Sequence, residues 1–370
     1  MSARIPFLAL VPRKDADAAA VRAAIDRVVA SGWFVLGPEV EAFEREFAAA
    51  MGADYAVGVG TGTDAIALIL RGLGIGAGDE VITSPVSAAY SALAIMMAGA
   101  RPVFADIDPA RLTIDPAQIE RVVGPKTRAI LPVHLYGQPA DMNTIETIAA
   151  RHKLAIVEDC CQAHLATAGG RPVGTIGVAG AYSFYPTKNL GALGDGGAIV
   201  TNDRALADRL KRLRNGGQTD RYHHVEAGIN SRLDELQAAI LRARLPFLPA
   251  WTARRRALAA RYRRALADAP VSVPPECDPG HVYHLFVVRS RERAGLQAHL
   301  RAQGVETLIH YPVPITRQPA IASERPAACP VADAVCDEIV SLPLHPGMTD
   351  AEIDAAAAAA AAFASREAAR

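Results

Sequence analysis

The stretch Gly180–Gly191 reads GAYSFYPTKNLG and places one lysine, Lys188, among aromatic residues and glycines after a predicted strand. The other four of the five lysines lie near the N-terminus, after a Gly-Pro pair or in polar helical stretches. A partly desolvated ammonium has a lowered pKa, and the neutral amine can form a Schiff base with a carbonyl. Because lysine is usually solvated, a surface position for Lys188 is the alternative interpretation.

A buried strand with carboxylates at its end lies upstream of this lysine. The apolar run Ala155–Val157 leads into Glu158 and Asp159, which is the pattern of a parallel strand. Polar residues at the carboxyl end of such a strand face the crevice where α/β proteins bind ligands. Asp159 is therefore a candidate partner of a cationic ring nitrogen, and Gln162 can donate a hydrogen bond from the same side. The alternative is that Asp159 caps the following turn.

A glycine turn near the start of the chain has the character of a phosphate site. The run Val57–Leu70 reads VGVGTGTDAIALIL, which predicts a strand, a glycine turn and an apolar helix. Helix N-termini with glycines bind anions, and Thr61 and Thr63 add hydroxyls. The spacing Gly-x-Gly-x-Gly is not the dinucleotide fingerprint, and the acidic pair Asp79-Glu80 precedes its strand rather than ending it, so nicotinamide binding is not expected.

A phosphate cradle, an acid for a ring nitrogen and a buried lysine, in this order, are typical of a pyridoxal phosphate site. With these motifs the chain resembles the DegT/DnrJ/EryC1/StrS family of nucleotide-sugar aminotransferases, from about Ile5 to Thr349. The matching runs are Gly32–Val40, Gly58–Ala65, Gly78–Ile82, Arg101–Asp108, His134–Gly137, Glu158–His164, Ser183–Gly197 and Gly228–Ala238. The resemblance implies fold type I, with a three-layer α/β/α large domain and a smaller C-terminal α+β domain.

The resemblance also implies roles for individual residues. Lys188 and Asp159 would be catalytic, since the lysine would carry pyridoxal 5'-phosphate and the aspartate would pair with its pyridinium nitrogen. The cofactor would be held by Gly62, Thr63, Asp159, Gln162, Ser183, Lys188 and Asn230. In such enzymes the asparagine that matches Asn230 reaches the cofactor phosphate of the neighbouring subunit, which implies a homodimer with shared active sites.

One position departs from the family pattern. Ala88 stands where relatives usually place an aromatic residue over the cofactor ring, and Tyr90, two residues on, is a candidate replacement.

Substrate contacts are expected from residues near the mouth of the site. The candidates are aromatic and imidazole side chains that suit a sugar and a base, namely Tyr185, Tyr222, His310 and Tyr311. For His310 and Tyr311 the alternative is an ordinary pair at the end of a strand.

Composition limits the other functions. Lys plus Arg and Asp plus Glu both number 39, so no net positive charge predicts binding to nucleic acid. We find no signal-peptide pattern and no apolar run long enough to span a bilayer, so we expect no membrane contact and a cytoplasmic protein. The five cysteines fit neither a disulfide framework nor a metal-site spacing, so we expect reduced thiols and no metal.

Hydrophobic periodicity predicts strands that alternate with helices, and hence an α/β fold with a mostly parallel sheet. We expect a large cofactor-binding domain over residues 1–245 and a small domain over 246–370. Thr349 and Glu352 predict a capping box that opens the last helix. The arginine-rich run after Pro249 is expected to be a solvated face, and the alternative is a site for a nucleotide diphosphate.

The predicted function is transfer of an amino group from an amino acid, L-glutamate by resemblance, to a nucleotide-linked keto-sugar. A dTDP-3-keto-6-deoxyhexose is the preferred substrate, because the run Tyr222–Asn230 resembles that of the 3-keto-sugar enzymes. The alternatives are a UDP-keto-sugar substrate, a lyase or dehydratase that uses the same cofactor, and a non-catalytic regulatory protein of the same fold.

Overall fold

The computed structural model describes residues 4–9, 16–321, 324 and 326–363. Its α-helices are α1 (Ala16–Ser31), α2 (Pro38–Met51), α3 (Gly62–Gly72), α4 (Tyr90–Met97), α5 (Pro116–Val122), α6 (Met142–His152), α7 (Arg204–Leu213), α8 (Glu235–Arg244), α9 (Leu248–Ala265), α10 (Arg293–Ala302), α11 (Pro330–Glu338) and α12 (Asp350–Ala361). Its strands are β1 (Tyr55–Val59), β2 (Glu80–Thr83), β3 (Arg101–Phe104), β4 (Thr127–Leu131), β5 (Ala155–Asp159), β6 (Thr167–Ala168), β7 (Arg171–Pro172), β8 (Ala179–Ser183), β9 (Gly197–Thr201), β10 (Gln218–Asp220), β11 (His223–His224), β12 (Phe286–Arg289) and β13 (Ile339–Leu342).

Seven strands form the central sheet, in the order β1-β9-β8-β5-β4-β2-β3. β9 is antiparallel to both of its neighbours, β1 and β8, whereas the remaining paired strands of this sheet are parallel. The α/β class with a mostly parallel sheet is therefore confirmed. The carboxyl ends of β5 and β8 lie side by side, which places Asp159 close to the residues that follow Ser183.

Helices cover both faces of this sheet. Ile156 packs with side chains of α2, α6 and α8, whereas its neighbour Val157 packs with side chains of α3, α4 and α7. A parallel strand buried on both faces needs apolar side chains at consecutive positions, which explains the uninterrupted apolar run of β5. The predicted three-layer arrangement is confirmed.

A second, smaller assembly follows the large sheet. β12 and β13 form an antiparallel pair, and this pair shares a hydrophobic core with α9, α10 and α12. Ile5, near the start of the chain, packs in the same core and pairs with Val305. Thr349 and Glu352 form the predicted capping box of α12. The division of the chain at residue 245 stays a prediction.

The arginines of α9 bind main-chain carbonyls. Arg255 is 4% exposed, and its Nη1 donates at distances of 2.9 to 3.2 Å to the carbonyls of Tyr283, His284 and Leu344. Arg256 and Arg263 donate in the same way to carbonyls at 2.8 and 2.7 Å. The prediction of a solvated basic face is wrong for Arg255, because carbonyl groups of the smaller assembly take the place of water, whereas Arg256 is exposed.

Within the described residues, no helix combines the length and the apolar character that crossing a bilayer requires.

Candidate active site

Lys188 lies in the connection between β8 and β9, residues 184–196, which we call the lysine loop. Its main-chain N–H donates to the Tyr185 carbonyl at 2.8 Å, and the Ala192 N–H donates to the Phe184 carbonyl at 2.7 Å. Burial lowers the pKa of the Lys188 amine, while Cys161 and Asp159 nearby act in the opposite direction. The residue is half-buried, so Lys188 does not lie on fully exposed surface.

Asp159 ends β5 and is 5% exposed. Its Oδ1 accepts from the Cys161 N–H at 3.1 Å, and its Oδ2 accepts from the Ser91 hydroxyl at 2.7 Å. The turn-capping alternative is therefore correct for one carboxylate oxygen. Each oxygen has capacity for a further donor, since a carboxylate oxygen can accept more than one hydrogen bond.

The glycine turn leads into α3, as predicted. Thr61 is the N-cap of this helix and its hydroxyl accepts from the Asp64 N–H at 3.0 Å. The N–H groups of Gly62 and Thr63 meet no protein acceptor within the described residues. Two unpaired N–H groups at a helix N-terminus form a site for an anion.

Close packing brings this turn against the two residues that flank the lysine loop, Ser183 and Gly197. A Cβ atom on Gly62 would lie 2.8 Å from Ser183 Cβ and 2.7 Å from Cys161 Sγ. A Cβ atom on Gly197 would lie 2.4 Å from the Thr61 carbonyl group. Both positions therefore require glycine, and Ser183 lies beside the free N–H groups, where a phosphate contact was predicted.

Gln162 connects the large sheet to the second half of the chain. Its Oε1 accepts from the Tyr136 N–H at 2.7 Å, and its Nε2 donates to the Tyr311 hydroxyl at 3.1 Å. Burial raises the pKa of Tyr311 to about 12. Tyr90, the candidate to replace the aromatic residue missing at Ala88, instead lies at the surface with 62% of its area exposed.

Three imidazoles lie within electrostatic range of Lys188. After the larger effect of burial, the positive charge of Lys188 lowers the pKa of His164 to about 3, of His310 to about 4, and of His284 well below its ordinary value. His310 is held by a 2.8 Å hydrogen bond between its Nδ1 and the Ser341 hydroxyl. Of the predicted substrate contacts, the structure therefore places His310 close to the lysine and Tyr311 in contact with Gln162.

The remaining predicted residues lie on exposed surface. The side chains of Tyr185 and Tyr222 are 52% and 79% exposed, and Tyr222 stands on the hairpin formed by β10 and β11. Asn230 is exposed and pairs with Asn215. The next residue, Ser231, is buried and accepts at 2.9 Å from the Gly60 N–H. Asn230 is thus presented outward from a loop that is fixed to the glycine turn of its own chain.

A cluster of groups of the metal-binding type lies beneath the site. Ligand atoms of His134, Glu158 and Cys160 all lie within 4.8 Å of one another. His134 Nδ1 accepts from the Ala140 N–H at 3.1 Å, so its Nε2 donates to Glu158. The Glu158 oxygens also accept, at 2.7 to 2.9 Å, from the N–H groups of Gly174, Ile176 and Gly177. These hydrogen bonds use both ring nitrogens and both carboxylate oxygens, so the cluster fixes the turn before β8.

The residues present fit pyridoxal 5'-phosphate. The free N–H groups of Gly62 and Thr63 suit a phosphate, Asp159 retains acceptor capacity for a ring nitrogen, and Lys188 is desolvated. Ser91, Asn189 and His284 also belong to this region, although sequence reasoning gave none of them a role. Asn189 could have been noticed as the residue after Lys188, whereas only the fold brings Ser91 and His284 to the site.

Comparison with known proteins agrees with this arrangement. The profile of the DegT/DnrJ/EryC1/StrS aminotransferase family matches residues 15–360. The dTDP-3-amino-3,4,6-trideoxy-alpha-D-glucose transaminase of Streptomyces venezuelae is 50% identical over 93% of this chain and 92% of its own length. The erythromycin biosynthesis sensory transduction protein EryC1 of Saccharopolyspora erythraea is 48% identical over 93% of this chain and 95% of its own.

A solved structure extends the agreement to three dimensions. The crystal structure of S. venezuelae DesV in complex with a ketimine intermediate superposes with a TM-score of 0.93 and 48% identity, and the match covers 96% of this chain and 97% of that one. The predicted fold type I is confirmed. Sequence, fold and site geometry thus lead to one conclusion: the chain belongs to the DegT/DnrJ/EryC1/StrS aminotransferase family, whose enzymes depend on pyridoxal 5'-phosphate.

Proposed function

We propose that this aminotransferase moves the amino group of L-glutamate onto a dTDP-linked 3-keto-6-deoxyhexose, with pyridoxal 5'-phosphate bound through Lys188. The observation that carries the proposal is a lysine whose pKa burial lowers, near Asp159, in the loop whose flanking residues pack on the glycine turn. It occurs in a chain that is 50% identical to a transaminase named for a dTDP-3-amino-sugar.

Each group of the site has a chemical task in this proposal. The bound cofactor supplies a ring that accepts electrons from the carbon that loses a proton. Lys188 Nζ takes that proton and later returns one, which is general base and acid catalysis by one amine. Asp159 holds the positive charge of the ring nitrogen by a charge-assisted hydrogen bond. The N–H groups of Gly62 and Thr63, together with Ser183, bind the phosphate.

We assign the sugar half of the reaction to His310 and Tyr311. His310 lies within electrostatic range of Lys188, and Tyr311 reaches Gln162 beside the proposed cofactor site. Tyr185 and Tyr222 are exposed on the single chain, where a nucleotide can contact them. Contacts to nucleotide and diphosphate contribute binding energy that positions the keto carbon for attack.

A homodimer with shared active sites is part of the proposal. Trp33, Phe34 and Val35 form an exposed apolar run with 57%, 47% and 40% of their areas exposed, and the Phe34 carbonyl accepts from the Glu235 N–H at 3.0 Å. Apolar surface of this kind marks an interface, and twofold pairing is the commonest closed symmetry. Asn230 faces outward a few residues before Glu235, as a residue that contacts the partner's cofactor must.

We also propose a cytoplasmic location. The five cysteines are all unpaired, and unpaired thiols are usual in a reducing compartment.

A screen of keto-sugar nucleotides with L-glutamate, read by mass spectrometry, tests the proposal. We expect amination of dTDP-3-keto-6-deoxyhexoses, and the UDP-linked 3-keto-sugars form the second arm. Product with the UDP-linked sugars alone would change the assigned nucleotide but leave the assigned reaction standing. A product formed without an amino donor would indicate a lyase or dehydratase, and no turnover with any donor would favour a regulatory protein.

A further inference from the structure

Two helices of this chain begin with the same sequence pattern, a threonine followed three residues later by an acidic residue. Thr349 and Glu352 begin α12, and Thr61 and Asp64 begin α3. In both helices the threonine hydroxyl accepts from the N–H of the acidic residue, at 3.2 Å in α12 and at 3.0 Å in α3. The threonine therefore caps both helices in the same way.

The carboxylates of the two acidic residues have different partners. At α12, Glu352 Oε2 accepts from the Thr349 N–H at 2.8 Å, which completes the reciprocal contact of a capping box. At α3, Asp64 Oδ2 accepts instead from the Ser231 hydroxyl at 2.8 Å. Between Thr61 and Asp64, both of them described, the reciprocal contact is not made. The first turn of α3 is therefore left without the carboxylate that closes the first turn of α12.

Ser231, which binds this carboxylate, is itself held firmly in place. It is 4% exposed, and its hydroxyl accepts from the Gly60 N–H at 2.9 Å, so the hydroxyl hydrogen is directed to Asp64. The Ser231 N–H donates to the Arg214 carbonyl at 2.9 Å. A Cβ atom on Gly60 would lie 3.2 Å from Asp64 Oδ2 and 3.2 Å from Ser231 Oγ, so the carboxylate is packed against this glycine.

The position of the Asp64 carboxylate matters for the neighbouring anion site. The N–H groups of Gly62 and Thr63 have no protein acceptor within the described residues, and the positive end of α3 attracts negative groups. A carboxylate in the first turn of the helix is attracted to the same end, where it would compete with a phosphate. The hydrogen bond from Ser231 keeps this carboxylate beside Gly60.

We infer that Ser231 is a positioning residue for the cofactor phosphate, because it holds the Asp64 carboxylate away from the N–H groups that bind the phosphate. Ser231 acts through Asp64 and contacts no reacting atom. Two adjacent residues then serve two sites, since Ser231 faces the glycine turn of its own chain and Asn230 faces outward. The inference rests on the proposed binding of pyridoxal 5'-phosphate.

A double-mutant cycle tests whether Ser231 acts through the charge of Asp64. Apoprotein is titrated with pyridoxal 5'-phosphate, and binding is followed by the absorbance of the cofactor. We expect Ser231→Ala to weaken binding about 10-fold, because the released carboxylate is drawn to the helix end that the phosphate needs. Asp64→Asn alone should stay within about 3-fold of the wild type, since its amide oxygen still accepts from Ser231. The double variant should also return to within about 3-fold, because the released side chain is then uncharged.

Two further ligands isolate the contribution of the phosphate. Pyridoxal, which lacks the phosphate, should bind to the wild type and to Ser231→Ala with equal affinity. Inorganic phosphate should compete with pyridoxal 5'-phosphate about 10-fold less well in Ser231→Ala than in the wild type.

Thr201→Val is the matched control. The Thr201 hydroxyl also accepts from one N–H and donates to one oxygen, but it lies at the opposite end of β9 from Gly197. This variant should lower the thermal stability and leave the affinity for the cofactor unchanged.

Equal weakening in Ser231→Ala and in the double variant would make Ser231 a structural support only, and would overturn the inference. An unchanged affinity in Ser231→Ala would overturn it too. A gain of about 10-fold in Asp64→Asn would do the same, since the carboxylate would then already repel the phosphate in the wild type.

If Ser231→Ala does not fold, as judged by its thermal unfolding, Asp64→Glu takes its place. The longer acid matches the one that completes the capping box of α12, so it should weaken cofactor binding about 10-fold, and an unchanged affinity would contradict the inference. Borohydride reduction and peptide mapping of the wild type test the attachment of the cofactor to Lys188, so failure of the proposed function is seen separately.

Discussion

The lysine loop and the segment 216–230 are connections of similar length, but they differ in how far their residues are exposed. The two residues that flank the lysine loop, Ser183 and Gly197, are packed against the glycine turn, and burial lowers the pKa of its lysine. The segment 216–230 carries a small hairpin with Tyr222 largely exposed and Asn230 facing outward. The residues expected to perform the chemistry are therefore packed within one chain. The residues expected to contact the site of a second chain are left exposed.

The largest effect is expected from a substitution of Lys188 in the lysine loop. Lys188→Ala should reduce turnover by about 10³-fold or more, because the general base and the covalent attachment are both lost. Borohydride should no longer fix the cofactor to the peptide that contains residue 188. The control is Lys153→Ala, at the exposed C-terminal end of α6. Labelling at Lys126 or Lys153 in the wild type would show that Lys188 is not the lysine that carries the cofactor.

Asp159→Asn should bind cofactor and lose about 10²-fold in turnover, because the ring nitrogen would no longer remain protonated. The protonation of the bound ring can be followed by absorbance across pH. Asp141→Asn, which alters the N-cap of α6, is the matched control and should affect stability alone. Near wild-type turnover in Asp159→Asn would remove this carboxylate from the mechanism.

The exposed segment is tested by complementation. Lys188→Ala and Asn230→Asp should each be inactive, and a mixture should regain about a quarter of the activity if subunits pair at random, since each mixed dimer has one intact site. Sedimentation should show a dimer. An active monomer would mean that the segment 216–230 has no role in a partner's site.

His310→Ala and Tyr311→Phe should slow the sugar half-reaction by about 10-fold and the glutamate half-reaction much less, because these side chains are assigned to the sugar. Absorbance of the cofactor follows each half separately. Equal losses of rate in both half-reactions would indicate that His310 and Tyr311 contact the cofactor and not the sugar.

The smallest expected effect concerns Ser91, which donates to Asp159 Oδ2 at 2.7 Å. Ser91→Ala should weaken cofactor affinity by about 5-fold through loss of one hydrogen bond to a carboxylate. Ser91→Thr should restore it. Ser87→Ala is the control, because the Ser87 hydroxyl meets Ser91 at 3.3 Å and not the carboxylate. An unchanged affinity for the cofactor in Ser91→Ala would show that this hydrogen bond does not contribute to cofactor binding.

The sequence allowed the class of fold and the positions of most strands to be predicted, because parallel strands buried on both faces are continuous apolar runs such as Ala155–Val157. Lys188, Asp159 and the glycine turn were recognisable for a related reason. Each places residue types that do not fit the local hydrophobic pattern, and the chemistry of those residues gives a reason for their position. The strand order β1-β9-β8-β5 was not predictable from local patterns, because it depends on pairing between distant segments.

Contacts made through that pairing were also missed. Ser91 is one serine at the start of an apolar helix, and nothing in its neighbourhood indicates that it meets Asp159, 68 positions later. Arg255 looked like a solvated arginine because the carbonyls that bind it belong to segments far along the chain. A side chain whose partner is the main chain of a distant segment leaves no residue-type signal in the sequence.

The antiparallel pairing of β1 with β9 has a consequence for the order of events in folding. It joins Val59 to Gly197, two residues 138 positions apart, and so brings the glycine turn against the end of the lysine loop. Contacts across such a separation form slowly, because the entropy cost of closing a long loop comes before any stabilising contact is made. We therefore expect the cofactor pocket to form only after β1 and β9 have paired, so that pyridoxal 5'-phosphate would bind late and stabilise the folded chain by mass action.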